Sequence, residues 1–258
     1  MKAVFHQSYF LPWLGYFSKL EFVDTLVILD DVGFRRNHIK RVQILGSQGN
    51  ILWFCLPVGN NWAVPCNSIE LPTERKYIDK MLHTIFHSYR KAKYFNTEYP
   101  FIETIFSNAL TNNIKLIDAN LEMLIALRNH IYGKQIQILS SSDFYDGIDR
   151  SERIIEICKA NSITEIIMGD GRMASVHNLE TIQLNGIKIL RQNFNENQPT
   201  YEQVHSKRNG IPFIKGLSII DALFNIGAEG AGMYGLGIPS DLDLFLKLPL
   251  SLEATRIK

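Results

Sequence analysis

The sequence is poor in cysteine. Cys55, Cys66 and Cys158 form an odd set of 3 with no CxxC pair. That excludes a disulfide framework and a cysteine-built zinc site, and it sets reduced thiols in a cytoplasmic protein as the expectation. No run approaches the about 18 apolar residues that cross a bilayer. The N-terminus has one lysine and then the short β-favouring Ala3-Val4-Phe5, which reads as neither signal peptide nor membrane span. Charge of one sign is missing as well: 27 Lys plus Arg face 26 Asp plus Glu, a formal net charge of +1. The broad positive field of a dedicated nucleic-acid binder is therefore not expected. Gly and Pro number 17 and 9 in 258 residues, too few for a low-complexity or collagen-like chain. No GxxxxGK[ST], HExxH or GxSxG pattern occurs, and the six-residue dinucleotide fingerprint is incomplete. The common NTPase, zinc-protease and α/β-hydrolase readings lose their usual support.

What remains is an ordinary globular composition, 46% apolar and 21% charged, in a chain long enough to bury roughly three-quarters of its unfolded surface without a metal or disulfide. Residues 3–6 favour β-structure, and Leu14, Phe17, Leu20 and Val23 share one helical face. Thr25 to Leu29 reads as a fully buried strand ended by Asp30-Asp31. Strand, turn, helix and buried strand within thirty residues is the βαβ unit of a parallel sheet. Residues 39–45 and 51–58 flank the Gly-containing connection Gly46 to Asn50, which predicts a hairpin. Ile78, Met81, Leu82, Ile85, Phe86 and Tyr89 then recur at helical spacing, as do Ile114, Ile117, Leu121, Leu124 and Ile125, with a further helix at about 99–111.

Alternation returns with strand 136–139, a helix at 150–160 capped by Asp149 or Ser151, strand 165–168, a helix near 174–184 and strand 187–190. A helix near 218–226 leads into Gly227, Gly230, Gly232, Gly235 and Gly237, a stretch not expected to be regular throughout. The predicted fold is α/β, a mostly parallel Rossmann-like sheet with a β-hairpin and a helical insertion. Residues 1–72 and 133–258 would form the core and 73–132 the insertion.

Ligands of open parallel sheets collect at the carboxyl ends of the strands. The first βα turn runs from His6 to Tyr16. There Gln7 and Tyr9, beside Trp13 and Tyr16, would make an aromatic, hydrogen-bonding wall. The plainer reading is structural, with Pro12 stopping the extended chain, Gly15 permitting close packing and the aromatics in the core. At the second strand end, one of Asp30 and Asp31 is expected to face a pocket while the other pairs with a cation or caps a turn. The basic run that follows, with Asn37 and Arg41, could hold a phosphate; alternatively it is a solvated, self-neutralising loop. Gly169, Gly171 and Arg172 at a third strand end suit an anion, or merely turn the chain. His83 and His87, four apart on a helix, read as a surface pair, and no metal set is expected. Ser140 to Asp143 would line the same rim or cap a helix.

Taken together, these stretches resemble the WbqC-like family over about residues 3–237. The opening block Gln7 to Phe17, then Asp24, Asp30-Asp31-Val32, Phe34 and Arg41, carries the most specific likeness. Trp53 to Val58, the Arg153 helix, Gly169, Gly186-Ile187, Tyr201 with Gln203, and Phe213 to Gly227 resemble later blocks. Ser8 stands where the family usually has Pro, Lys40-Arg41-Val42 replaces an Asn-Arg-Asn-like triplet, and Ile166 to Gly169 replaces a Tyr-Leu-Ser-Gly-like strand end. The resemblance implies a role in modifying sugars of O-antigen and other surface polysaccharides, with Tyr201 and Gln203 among the substrate-binding residues. The opening order is more distantly similar to HIGH-type nucleotidyltransferases and pantothenate synthetase, which implies a nucleotidyltransferase-like sheet. The two signature histidines would fall at Trp13 and Tyr16, so the usual stabilisers of adenylyl transfer are missing.

The function expected is transfer of an acyl or aminoacyl group to the amine of a nucleotide-linked amino sugar. Asp30 or Asp31 would be the base, with His6 second. Gln7, Tyr9, Pro12, Gly15, Tyr16 and Asn37 would shape the sugar site, and Arg41, Arg172 and the Gly169 to Gly171 amides would hold phosphate. The expected partners are a small sugar-nucleotide substrate and an acyl or aminoacyl carrier; the residues single out no cofactor. The alternative is a non-catalytic binder of sugar nucleotides or glycan precursors.

Overall fold

The computed structural model describes residues 1–34, 36–59, 64–72, 74–144, 149–169, 177–206, 210, 212–236 and 246–247. Gly171 and Arg172, and the start of the helix expected near 174, lie outside the described residues. Five strands, β1 (Lys2–His6), β2 (Thr25–Ile28), β5 (Gln137–Ser140), β6 (Glu165–Gly169) and β7 (Lys188–Gln192), form a parallel sheet in the order β5-β2-β1-β6-β7. A two-residue strand, β8 (Leu246–Lys247), adds antiparallel to β7. A separate antiparallel hairpin joins β3 (Arg41–Leu45) to β4 (Ile51–Cys55), with Gly46 donating to the Asn50 carbonyl across its turn.

Strand periodicity divides the apolar side chains between two faces. Ala3, Phe5, Val27, Ile166, Met168 and Ile189 enter a core with helices α5 (Arg150–Ala160) and α6 (Leu179–Leu184). Val4, Leu26, Ile28, Ile167 and Leu190 face the larger core on the other side. That core takes in α1 (Leu14–Glu21), the hairpin, α2 (Arg75–Tyr89), α3 (Phe95–Asn112), α4 (Leu116–Tyr132) and α7 (Ile219–Leu236). A sheet covered on both faces explains why its strands read as nearly unbroken apolar runs. Asp149 caps α5 by accepting from the Ser151 amide at 2.8 Å, as the sequence suggests.

Gly237 lies outside the described residues, and the rest of the glycine-rich stretch is broken as expected but otherwise more regular. It is helical as far as Leu236, with one break at Gly227, whose φ of 74° and ψ of 174° leave the helical region. The glycines serve close approach: a Cβ on Gly235 would collide with the Tyr132 hydroxyl at the end of α4. Absence of side chains here lets α7 lie against α4.

Two crossovers leave the sheet in opposite directions. The chain passes from β1 through α1 to β2 on one side, and from β6 through α6 to β7 on the other. The reversal falls between neighbours β1 and β6, the place where open α/β sheets leave a crevice. Here these strands pair only through Lys2 with Glu165 and Ala3 with Ile166. By contrast, β1 and β2 stay paired through His6 with Ile28. The gap therefore opens between His6 and Gly169 at the carboxyl edge.

The first helix closes that edge through one tight contact. A Cβ on Gly15 would stand 2.6 and 2.7 Å from Cζ2 and Cζ3 of Trp13, whose ring packs edge-on against Phe194 with centroids 5.5 Å apart. Gly15→Ala must displace the indole, at a cost of about 1–3 kcal/mol for overpacking. Denaturant unfolding should show that loss in the wild-type background and little of it in a Trp13→Leu background; an equal loss in both would contradict the packing.

Candidate functional site

The crevice is lined first by the β1 end and α1. The His6 ring lies 4.2 Å from that of Tyr16 and 4.6 Å from that of Tyr9, centroid to centroid. Tyr9 in turn stacks on His38 at 4.9 Å and 21°. Tyr16 donates from its hydroxyl to the Gln7 carbonyl at 3.2 Å. Burial raises the Tyr16 phenol well above its ordinary value, and nearby Tyr9 adds to this, so the phenol stays protonated as that donor.

Lys19, one helical turn beyond Tyr16, is only 8% exposed. Its ammonium sits 5.6 Å from the Tyr16 ring centroid. On the far bank, a Cβ on Gly169 would lie 3.7 Å from Lys19 Nζ. Lys19 thus spans the gap between β1 and β6, and glycine at 169 leaves the β6 bank low. The His6 pKa falls well below its usual range, by burial first, then by the Lys19 ammonium and by His38; a hydrogen bond to the Gln7 backbone opposes the shift. The result is a neutral imidazole beside a buried cation. Burial and the Arg41 guanidinium lower His38 in the same direction.

Buried hydrogen bonds hold the loops around this cluster. Phe10 N donates to the His38 carbonyl at 2.7 Å. Asn120 of α4 donates to the Ser8 and Ile39 carbonyls at 3.0 and 2.7 Å, tying the first strand-end loop to the turn before β3. His38 occupies that turn with φ of 73°, a left-handed conformation that a non-glycine side chain adopts only under constraint. Arg41 donates to Asn37 Oδ1 through Nε at 2.9 Å and lies 3.9 Å from the Trp53 ring centroid. Pro12 and Gly15 act through their backbones. Ile219 N donates to the Pro12 carbonyl at 2.9 Å, and buried Gln192 at the end of β7 donates to the Gly15 carbonyl at 3.1 Å.

Asp30 and Asp31 do not point to opposite sides. Because β2 ends at Ile28, strand alternation no longer governs them, and both accept from Ser141 Oγ, at 3.1 and 2.7 Å. Asp30, 7% exposed, also accepts from Ser142 N at 2.9 Å and Ser142 Oγ at 2.5 Å. Asp31 pairs with Arg153 of α5 at 2.5 Å. Burial would raise the Asp31 carboxyl, but the Ser141 hydroxyl and the Arg153 guanidinium outweigh it and hold the pKa below the ordinary value. The pair thus bolts the end of β2 to the segment after β5 and to α5.

Tyr201 and Gln203 gather elsewhere, around Asp221 at the start of α7. The fully buried carboxylate accepts from Tyr201 Oη at 2.8 Å, Gln203 Nε2 at 2.9 Å and Tyr89 Oη at 3.1 Å. Burial pushes its pKa up to about 6 against the pull of these donors. Gln203 also receives the Ile214 amide and donates to the Ile214 carbonyl.

The structure therefore brings His6, Gln7, Tyr9, Tyr16 and Gly169 to the crevice, with Asn37 and Arg41 on its rim through His38. It places Asp30 and Asp31 in a polar clamp one strand away, and Tyr201 and Gln203 in a second network. Lys19, His38 as a stacking partner, Asn120 and Arg153 complete these arrangements and escaped the sequence reading. Only the run Leu14 to Leu20, with one lysine among mostly apolar residues, hinted at a buried cation. Among the described residues, no group of three or more His, Cys, Asp and Glu side chains is placed to hold a metal.

For a base whose pKa is lower folded than unfolded, stability is full above the unfolded value of ~6.5 and is lost as pH falls through the folded value. His6 should then remain neutral in ring NMR titrations down to well below pH ~6.5, and Lys19→Met should move its midpoint upward. Ordinary titration of His6 in the wild type would contradict the geometry.

Residues 7–232 match the WbqC-like protein family, a span that runs from the first residue after β1 into α7. The uncharacterized protein Rv1507c of Mycobacterium tuberculosis (strain ATCC 25618 / H37Rv) is 25% identical over 230 residues, covering 88% of this chain and 95% of its own length. No solved structure matches the chain. No helix among the described residues is long and apolar enough to cross a membrane. Since the match takes in the crevice loop, the hairpin, the three central helices and the later strands, the chain belongs to the WbqC-like protein family.

Proposed function

We propose that the crevice between β1 and β6 is the active site of an amide-forming transferase of surface-polysaccharide biosynthesis, moving an acyl or aminoacyl group onto the amine of a nucleotide-linked amino sugar. One observation carries this reading: the His6 ring packs 4.2 Å from that of Tyr16, and the Lys19 ammonium, 5.6 Å from the same ring, reaches toward Gly169 across the gap at the switch point of a parallel sheet. The imidazole lone pair accepts a proton and the ammonium, spanning the gap, attracts phosphate.

In the proposed step, the sugar nitrogen's lone pair attacks the acyl carbon of an activated donor, a thioester or mixed anhydride. The C–N bond forms, the bond from the acyl carbon to the leaving group breaks with its electron pair going to that group, and the proton shed by nitrogen passes to His6. Lys19 and the backbone at Gly169 face the phosphates, and Gln7 and Tyr9 face the sugar. His6 is preferred to Asp30 and Asp31 as the base because their carboxylates are already engaged by Ser141, Ser142 and Arg153. Those aspartates are assigned a positioning role.

Purified protein incubated with amino-sugar nucleotides and activated amino acids should acylate the sugar, read as a mass gain. His6→Gln should lower the rate about 10²–10⁴-fold, as expected for loss of a general base, and Lys19→Met should raise KM for the nucleotide sugar. An inert panel, or full activity in His6→Gln, would contradict the proposal. Saturable binding without turnover would favour the binding-protein reading.

A further inference from the structure

Away from the crevice, a cavity of about 350 Å³ lies between the hairpin turn, the end of α2 and the segment around residue 205. Ser47 and Gln48 contribute from the turn, and His87, Arg90 and Lys91 from α2 and the residues after it. His205 closes the third side, its Nε2 positioned 3.3 Å from the Ser88 carbonyl. No carboxylate lines the cavity, and none pairs with Arg90 or Lys91, among the described residues. The Arg90 guanidinium instead lies 5.9 Å from the Phe86 ring centroid.

Cations after a helix C-terminus complement its dipole, and that alone would account for Arg90 and Lys91. It does not account for the three-sided wall. Two walls are pinned to one buried carboxylate directly and the hairpin wall through Tyr89. Tyr89, between Ser88 and Arg90, donates to Asp221 at 3.1 Å. The Leu45 amide, two residues before Ser47, donates to that same tyrosine oxygen at 2.9 Å. Gln203, two residues before His205, donates to Asp221 at 2.9 Å. A fourth strap runs from Val204 N to Asn225 Oδ1 at 2.7 Å, on the turn of α7 after Asp221. His205 itself is held at φ of 73°, a conformation that persists only where its surroundings impose it. The basic side chains therefore surround a space whose backbone is fixed before any ligand arrives, which is how a site avoids the ordering cost of binding.

We propose that this cavity binds a phosphate-type anion, a monophosphate or diphosphate ester, independently of the β1–β6 crevice. Arg90 supplies a planar donor fork and Lys91 a point charge, the two ways proteins meet phosphate oxygens. The Ser47 hydroxyl adds a neutral donor and His87 a ring nitrogen, while His205 closes the wall with its Nε2 turned to the Ser88 carbonyl. The volume exceeds what a lone orthophosphate fills and falls at the small end of ligand pockets, so a diphosphate or a phosphate carrying an ester group fits better than orthophosphate.

Calorimetric titration with orthophosphate, pyrophosphate and a nucleoside diphosphate tests this on the full chain. Wild type and Lys19→Met should both bind pyrophosphate saturably at this cavity, more tightly than orthophosphate. The double variant R90E/K91E, changed only at exposed positions, should bind at least about tenfold more weakly, a loss ordinary for a charge-assisted pair. R90Q/K91Q, with thermal unfolding measured alongside, repeats the test should charge reversal disturb the fold. The nucleoside diphosphate arm distinguishes an ester ligand from free diphosphate. Absence of saturable pyrophosphate binding, or binding that R90E/K91E and R90Q/K91Q leave undiminished, overturns the proposal. So does binding that only Lys19→Met removes, which would place the anion in the crevice.

Discussion

Strands β1 and β6 exchange hydrogen bonds only near their amino ends, and the wedge left at their carboxyl ends is the constraint on which the site depends. A parallel sheet pairs its strands over their length wherever it can, since each unpaired buried backbone group is costly. Here the two strands belong to crossovers that leave in opposite directions, so no helix is drawn across the gap. A lysine side chain from α1 reaches into it instead, toward a glycine that presents no side chain of its own. The aromatic rings of Tyr9 and Tyr16 complete the enclosure around His6, and burial from water beside the Lys19 ammonium makes a second positive charge on the imidazole expensive.

Around this wedge, the polar groups divide into those facing it and those that hold the walls. Asn120 couples α4 to two loops, Gln192 couples β7 to α1, and the Asp30-Asp31 clamp couples β2, β5 and α5. Each replaces water for buried carbonyls or carboxylates, so loss of one partner leaves its mate unsatisfied. Asp221 does the same for α2 and the residues after 200, and through Tyr89 for the hairpin. The three central helices share an apolar core with α1, the hairpin and α7, and through Asn120 and Tyr89 they reach both networks. The helices and the sheet thus cooperate in placing polar groups.

Much of the architecture was legible in the residues, because buried strands and amphipathic helices leave periodic traces. Thr25 to Ile28 is uniformly buried since both faces of the sheet are covered, and the turn at Gly46 to Asn50 announces its hairpin. The strand ends were also legible: Gln7, Tyr9, Tyr16 and Gly169 converge as the topology requires. What periodicity could not convey was which polar group meets which. Lys19 sits where a helix could as well face solvent, and only the apolar run around it hints that it is buried. Asp30 and Asp31 looked like a free carboxylate pair because their partners, Ser141, Ser142 and Arg153, come more than a hundred residues later. Tyr201 and Gln203 were grouped with the substrate by resemblance, whereas their hydrogen bonds go to Asp221. The irregularity that the glycines suggest is confined to Gly227, and Gly235 marks the close approach of two helices.

The proposed substrate, a phosphorylated amino sugar, enters the gap between β1 and β6. A crystal structure of the protein with a nucleotide-linked amino sugar tests this most directly. Phosphate density beside Lys19 and Gly169, with the sugar amine within hydrogen-bond distance of the His6 ring, is the result the account predicts. Ligand density away from β1 and β6, or a sugar whose amine faces away from His6, would contradict it.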